Sequence, residues 1–108
     1  MTKVIVLLYK RPDLEWAAFQ EYWQEKHGPL VQGLPGLRQY IHNYTVEEAN
    51  PPYGVAELYF DSPDAFHAAF ASPAGTRALA DLANFADVER TAITIVAEPR
   101  AWRGHREG

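Results

Sequence analysis

The 108-residue chain has no cysteine and a single methionine. Without thiols there are no disulfides, no thiolate nucleophile, no zinc ribbon and no iron–sulfur cluster, and the absence fits a reducing compartment. Positive charge is scarce too: ten Lys and Arg stand against 14 Asp and Glu, for a net charge of −4 with histidines neutral. A phosphate backbone calls for the opposite balance, so nucleic acid is not an expected partner. The apolar run "VIVLLY" spans only Val4 to Tyr9, too short to cross a bilayer and without a small-residue cleavage site after it. No membrane association and a cytoplasmic location are therefore expected. Phosphate-binding loops, nucleophile elbows and dinucleotide fingerprints are missing as well: "GLPG" reads as a turn and "SPAG" as a helix start.

Close to half of the residues (47%) are hydrophobic, enough for one domain to build a core unaided. Residues 3–10 are rich in branched apolar side chains and read as a strand covered on both faces. "KRPD" stops that strand, and Asp13 offers an N-cap for a helix with Trp16, Phe19 and Trp23 at helical spacing; Gly28 and Pro29 are expected to end it just after His27. Turn residues then open a strand from about Leu37 to Val46, "EEANPPYG" forms a loop, and Val55 to Phe60 form the next strand. Ser62, Pro63 and Asp64 start a helix with Phe66 and Phe70 inward. Ser72 and Pro73 repeat the signal for a segment that turns Leu79, Leu82 and Phe85 or Ala86 inward. "ITIVA" (93–97) is the last strand, and beyond Pro99 the tail lacks periodicity, with Trp102 suggesting a docking contact.

The order β-α-β-β-α-β predicts an α+β, ferredoxin-like fold over residues 1–99: a four-stranded antiparallel sheet with helices on one face, followed by a tail over 100–108. Two helices cover one sheet face only. Yet the first strand is apolar on both sides, with Val4, Val6 and Leu8 on one and Ile5, Leu7 and Tyr9 on the other. The last strand behaves similarly. An uncovered apolar face on that scale calls for a cover, and a second copy of the same sheet supplies it, which predicts a homodimer with its helices outside.

The stretch "FQEYWQEKHGPLVQGLPGLRQYIHN" (19–43) resembles the signature of the EthD family, named for ethyl tert-butyl ether degradation: a helix ending in His, a small residue and Pro, then a Pro-Gly pair and a strand bearing an aromatic residue. "DSPDAFHAAFASPAGTRALADLANF" is similar to the family's second half. The resemblance implies a dimeric α/β-barrel with a pocket for a small, often aromatic or lactone-like molecule. It also implies a distant similarity to methylmuconolactone methylisomerase, a cofactor-free isomerase whose active-site histidine and tyrosine fall on His27 and Tyr40. The reactive cysteine of that enzyme has no counterpart in this chain. Wider relatives include polyketide cyclases and cofactor-free monooxygenases.

His27, at the expected helix C-terminus, reads as a general acid or base or as a helix cap. Tyr40, His42 and Tyr44 alternate along one strand face, which either lines a cavity or faces water; Leu37 and Ile41 on the other side offer a core face. Glu57 and Tyr59 alternate with Ala56, Leu58 and Phe60, so a carboxylate turned into the barrel either pairs with a histidine such as His42 or titrates unusually high, and otherwise sits at the rim in water. His27, His42, Glu57 and His67 suffice in number for a metal, but no two have helical ligand spacing and His67 reads as a surface residue, so no metal is expected.

The reading that results is a small-molecule catabolic or tailoring protein: an isomerase, cyclase or monooxygenase working without a cofactor on a small hydrophobic or aromatic compound. His27, Tyr40 and His42 are its catalytic candidates. Tyr9, Trp23, Tyr44, Glu57, Tyr59 and Phe85 are the candidates for substrate binding. An accessory protein that carries a hydrophobic small molecule to an oxidoreductase partner would use the same pocket, and a purely structural dimer would fill it with its own side chains.

Overall fold

The computed structural model describes residues 1–48 and 51–105. Strand β1 (Thr2–Leu8) leads to helix α1 (Trp16–Tyr22), a π-helical turn (Trp23–His27) and helix α2 (Gly28–Gln32). Strands β2 (Gln39–Tyr44) and β3 (Gly54–Phe60) follow, then helices α3 (Pro63–Ala71) and α4 (Pro73–Asp81), a 3₁₀ turn (Leu82–Asn84) and strand β4 (Ala92–Val96).

All pairings are antiparallel and the strand order is β2-β3-β1-β4. This is the ferredoxin-like order, with the most apolar strand in the centre. The expected barrel is not formed: the sheet is open, β2 and β4 are its edges, and they do not pair with each other. Four strands are too few to close, because the circumference of a barrel grows with strand number and must leave room for the side chains inside.

Alternating burial shows which face is roofed. Val4, Val6 and Leu8 of β1 and Ala56, Leu58 and Phe60 of β3 are buried under the helices, while Ile5, Leu7, Val55, Glu57 and Tyr59 face outward and stay partly exposed. Ser62 caps α3 and Ser72 caps α4, each accepting from the backbone N–H three residues on, at 3.0 and 3.1 Å. Asp13 does not cap α1. It pairs with Arg11 (2.6 Å), and Glu15 stands at the N-cap. The inward expectation for Leu79 is also corrected: it is 39% exposed, whereas Leu82, Phe85 and Ala86 are buried. Trp102 is 80% exposed, so the expected docking contact of the tail is not made.

The first helical stretch does not end at Gly28. Its inward residues Phe19, Trp23, His27 and Val31 are spaced by four, and all are buried. In an unbroken α-helix each step of four would drift by about 40° around the axis. The π turn between Trp23 and His27 takes up that drift and keeps the stripe on the sheet. Pro29 then falls in the first turn of α2, where a missing N–H is tolerated.

Trp23 packs closely against β3 at Gly54. A Cβ on that glycine would sit 2.5 Å from Trp23 Cζ3, so the close approach of indole to strand requires glycine there.

Candidate functional site

The register of β2 decides where its polar rings lie. Tyr40 pairs with Leu58, His42 with Ala56 and Tyr44 with Gly54, all inner-face positions of β3. Tyr40, His42 and Tyr44 therefore sit on the helix side of the sheet, and the apolar Ile41 is the one on the outer face. This reverses the expectation that Ile41 marks the core side. The His42 ring stacks on Trp23 with centroids 3.9 Å apart, meets Tyr40 edge-on at 4.6 Å and shares a 2.8 Å hydrogen bond with the Tyr44 hydroxyl through Nδ1.

His27 is 5% exposed. Its Nδ1 lies 2.9 Å from Asp81 Oδ2, and Asp81 Oδ1 accepts from the Tyr22 hydroxyl at 2.7 Å and from Asn84 Nδ2 at 2.9 Å. Burial is the largest influence on Asp81 and pushes its carboxyl up, but the hydrogen bonds from Tyr22, Asn84 and His27 together outweigh it and hold it below the ordinary value. Burial also dominates at His27 and lowers its pKa, against the opposing pull of Asp81. The two shifts agree on one state: an ionised carboxylate beside a neutral imidazole. A carboxylate only accepts, so the His27 proton is on Nδ1 and its Nε2 carries a free lone pair.

His27 lines a cavity of about 30 Å³ between sheet and helices, with Trp23, Tyr40 and apolar side chains such as Val6, Leu58 and Leu82; the half-exposed Leu79 and Ile93 also border it. That volume admits a water or a single substituent of a ligand. Outside it lies a groove of about 440 Å³ lined by Gln24, Gly28, Pro29, Gln32, Leu37, Arg38, Gln39, Tyr40 and His42. Tyr40 borders both spaces, and burial pushes its phenol well above the ordinary value, so it remains a donor.

The structure thus gathers Trp23, His27, Tyr40, His42, Tyr44 and Phe85 on one side of the sheet. Phe85 packs behind the imidazole of His27 at 4.7 Å and stacks on Tyr22 at 5.2 Å. Glu57 and Tyr59 are on the opposite face: Glu57 accepts from Asn43 and Tyr59 at 2.8 Å each, with Lys3 at 3.8 Å, and these partners hold its carboxyl below the ordinary value instead of pairing it with His42. Tyr9 lies past the end of β1, with the Arg90 guanidinium 4.7 Å from its ring centroid. His67 is exposed on α3, and among the described residues no three His, Asp or Glu side chains are placed to hold a metal. Asp81 and Tyr22 were not singled out from sequence. The available signal was a carboxylate in the last turn of α4, at the negative end of the dipole, where an acidic side chain needs a separate reason to stand.

A histidine tied to a carboxylate at the end of a π turn, followed by Gly-Pro and a Pro-Gly turn, lies within residues 11–89, and that whole span matches the family model described as the EthD domain. The chain belongs to the EthD family. A relative in Rhodococcus erythropolis, an uncharacterised 11.0 kDa protein in the thcB-thcC intergenic region, is 41% identical over 85 residues, which cover 76% of this chain and 82% of that one. An EthD family protein from Bacillus halodurans has the same fold (TM-score 0.77, 25% identity, covering 92% of this chain and all of that one). More distant structures share the fold alone. A dimeric ferredoxin-like protein from Thermobifida fusca aligns with TM-score 0.68 at 20% identity over 90% of each chain, and SnoaB, a cofactor-independent oxygenase from Streptomyces nogalater, with 0.64 at 16% over 93% of each. Among the described residues of this EthD chain, no helix is long and apolar enough to cross a membrane.

The buried His27 and the half-buried His42 both make stability depend on acid. Burial, with a smaller contribution from His27, lowers His42 to about 4. A folded-state pKa below the unfolded value of about 6.5 means that the unfolded chain takes up protons first, so stability is complete above pH 6.5 and is lost as pH falls toward 4. The melting temperature should decline through that window, before most carboxylates titrate, and the decline should be shallower in His42→Phe, whose ring can still stack on Trp23. A flat profile between pH 6.5 and 4 would contradict the neutral state of the two rings.

Proposed function

We propose that this EthD protein removes a proton from a small hydrophobic or aromatic molecule bearing a carbonyl, with His27 Nε2 as the general base. The observation that carries this reading is the partly buried hydrogen bond between His27 Nδ1 and Asp81 beside an apolar cavity. Asp81 fixes the tautomer and stabilises the imidazolium that forms; the proton leaves a carbon next to the carbonyl, and the electron pair moves onto the carbonyl oxygen. Return of the proton at another position is an isomerisation. Attack of the carbanion within the same molecule is a cyclisation, and its reaction with dioxygen is the entry to oxygenation. All three begin with one step that needs no cofactor, and the occurrence of cofactor-independent oxygenation on this fold in SnoaB supports that reading.

The protein is also read as a homodimer. Ile5, Leu7, Ile41, Val55, Tyr59 and Val96 make the outer sheet face largely apolar and only half-buried, and a second copy stacked on that face by a two-fold axis would cover it. The dimeric state of the Thermobifida fusca protein is in keeping with this.

Deuterium exchange from D₂O into the α-position of acetophenone, followed by NMR, tests the base. The protein should accelerate exchange, His27→Gln should lower the rate by about 100-fold or more, and the rate should fall as pH drops below about 6.5 because the base must be unprotonated. Exchange as fast in His27→Gln as in the natural protein would remove the mechanism. Acetophenone bound without any acceleration would make the protein a carrier. Sedimentation at micromolar concentration should show a dimer that Leu7→Glu converts to a monomer; a natural protein that sediments as a monomer would remove the stacked-sheet assembly.

A further inference from the structure

The indole N–H of Trp23 is buried without a hydrogen-bond partner, on a side chain that is 0% exposed. A buried donor left unpaired is costly, and native interiors rarely keep one without a use. Tyr40 is beside it. Its hydroxyl bonds to no other side chain or backbone group among the described residues, and the indole lies near enough to influence the phenol without reaching bonding geometry. Both side chains border the inner cavity, with His27 on the same lining, and Tyr40 also borders the groove.

We infer that Trp23 Nε1–H and Tyr40 Oη–H form a two-donor seat for a carbonyl oxygen of the ligand, whose body lies in the groove bordered by Tyr40 and His42. Two donors bordering one cavity call for an acceptor with two lone pairs and no hydrogen of its own, which selects ketones, esters and lactones over alcohols or hydrocarbons. The sizes agree: the cavity of about 30 Å³ takes little more than an oxygen or a methyl group, whereas the groove of about 440 Å³ takes an aromatic ring. His42 stacks on the indole and lines the groove, and its own Nε2 is buried without a partner. The assignment deepens the proton-transfer reading above and rests on it for the identity of the base. The seat would hold the oxygen on which negative charge develops as His27 takes the proton.

The indole N–H signals of Trp16, Trp23 and Trp102 can be followed by ¹H–¹⁵N NMR, with Trp23→Phe identifying the signal concerned. Addition of acetophenone should move the Trp23 indole proton downfield in a saturable manner, and ethylbenzene, the same shape without the oxygen, should not. Acetophenone should bind about tenfold more tightly than ethylbenzene, as expected for a net hydrogen-bond gain of this kind, and the ratio should approach one in Trp23→Phe and in Tyr40→Phe. Should Trp23→Phe fail to fold, Tyr40→Phe and the indole signal of the natural protein still decide the matter. An unmoved Trp23 signal at millimolar acetophenone, or a ratio that survives the Tyr40→Phe change, would overturn the seat. A moved signal together with exchange unaffected by His27→Gln would keep the seat and remove the base.

Discussion

One half-buried carboxylate organises this protein. Asp81, at the end of α4, accepts from Tyr22, His27 and Asn84 and so ties the first helical stretch to the second across the top of the sheet. An ion in that position is tolerable only because its hydrogen bonds replace the water it has lost. The same bonds set the protonation of the rings around it. They place the His27 proton on Nδ1, keep the Tyr22 hydroxyl protonated, and leave His27 Nε2 as an unprotonated nitrogen beside an apolar space.

The geometry that brings His27 to Asp81 depends on the π turn. A plain α-helix would carry the imidazole around the axis, away from the line of Phe19, Trp23 and Val31. With one widened turn, Trp23 reaches Gly54 and His27 reaches the end of α4, and the two side chains border the same cavity. The π turn, Gly54 and the Tyr22 and His27 bonds to Asp81 thus form one arrangement, in which a change to any member moves the His27 imidazole.

Much of the scaffold is legible in the sequence because local chemistry decides it. Ser62-Pro63 and Ser72-Pro73 carry their own caps, and the doubly apolar β1 marks itself as the centre of the sheet. His27, Tyr40 and His42 stand out as ionisable or polar rings around a Gly-Pro and Pro-Gly frame. Features set by tertiary context are not legible in the same way. Period two places Tyr40, His42 and Tyr44 on one face, but only the pairing with Leu58, Ala56 and Gly54 says which face. Leu37 and Ile41 offer an apolar alternative for the core side, yet stacking on Trp23 accommodates the His42 ring on the roofed side. Gly28-Pro29 reads as a stop, and the spacing of four in Phe19, Trp23, His27 and Val31 was the overlooked sign that the helix continues with a widened turn. A closed barrel cannot be inferred from apolar strands alone, since closure is a matter of strand number and free edges.

The protonation state of His27 is the claim on which the chemistry turns, and the ¹⁵N chemical shifts of its imidazole, followed by NMR against pH, test it most directly. The account predicts a neutral ring at pH 7 with the proton on Nδ1, an unprotonated Nε2, and a titration midpoint below 6.5. A proton on Nε2 in the neutral ring, or a midpoint above 6.5, would contradict it.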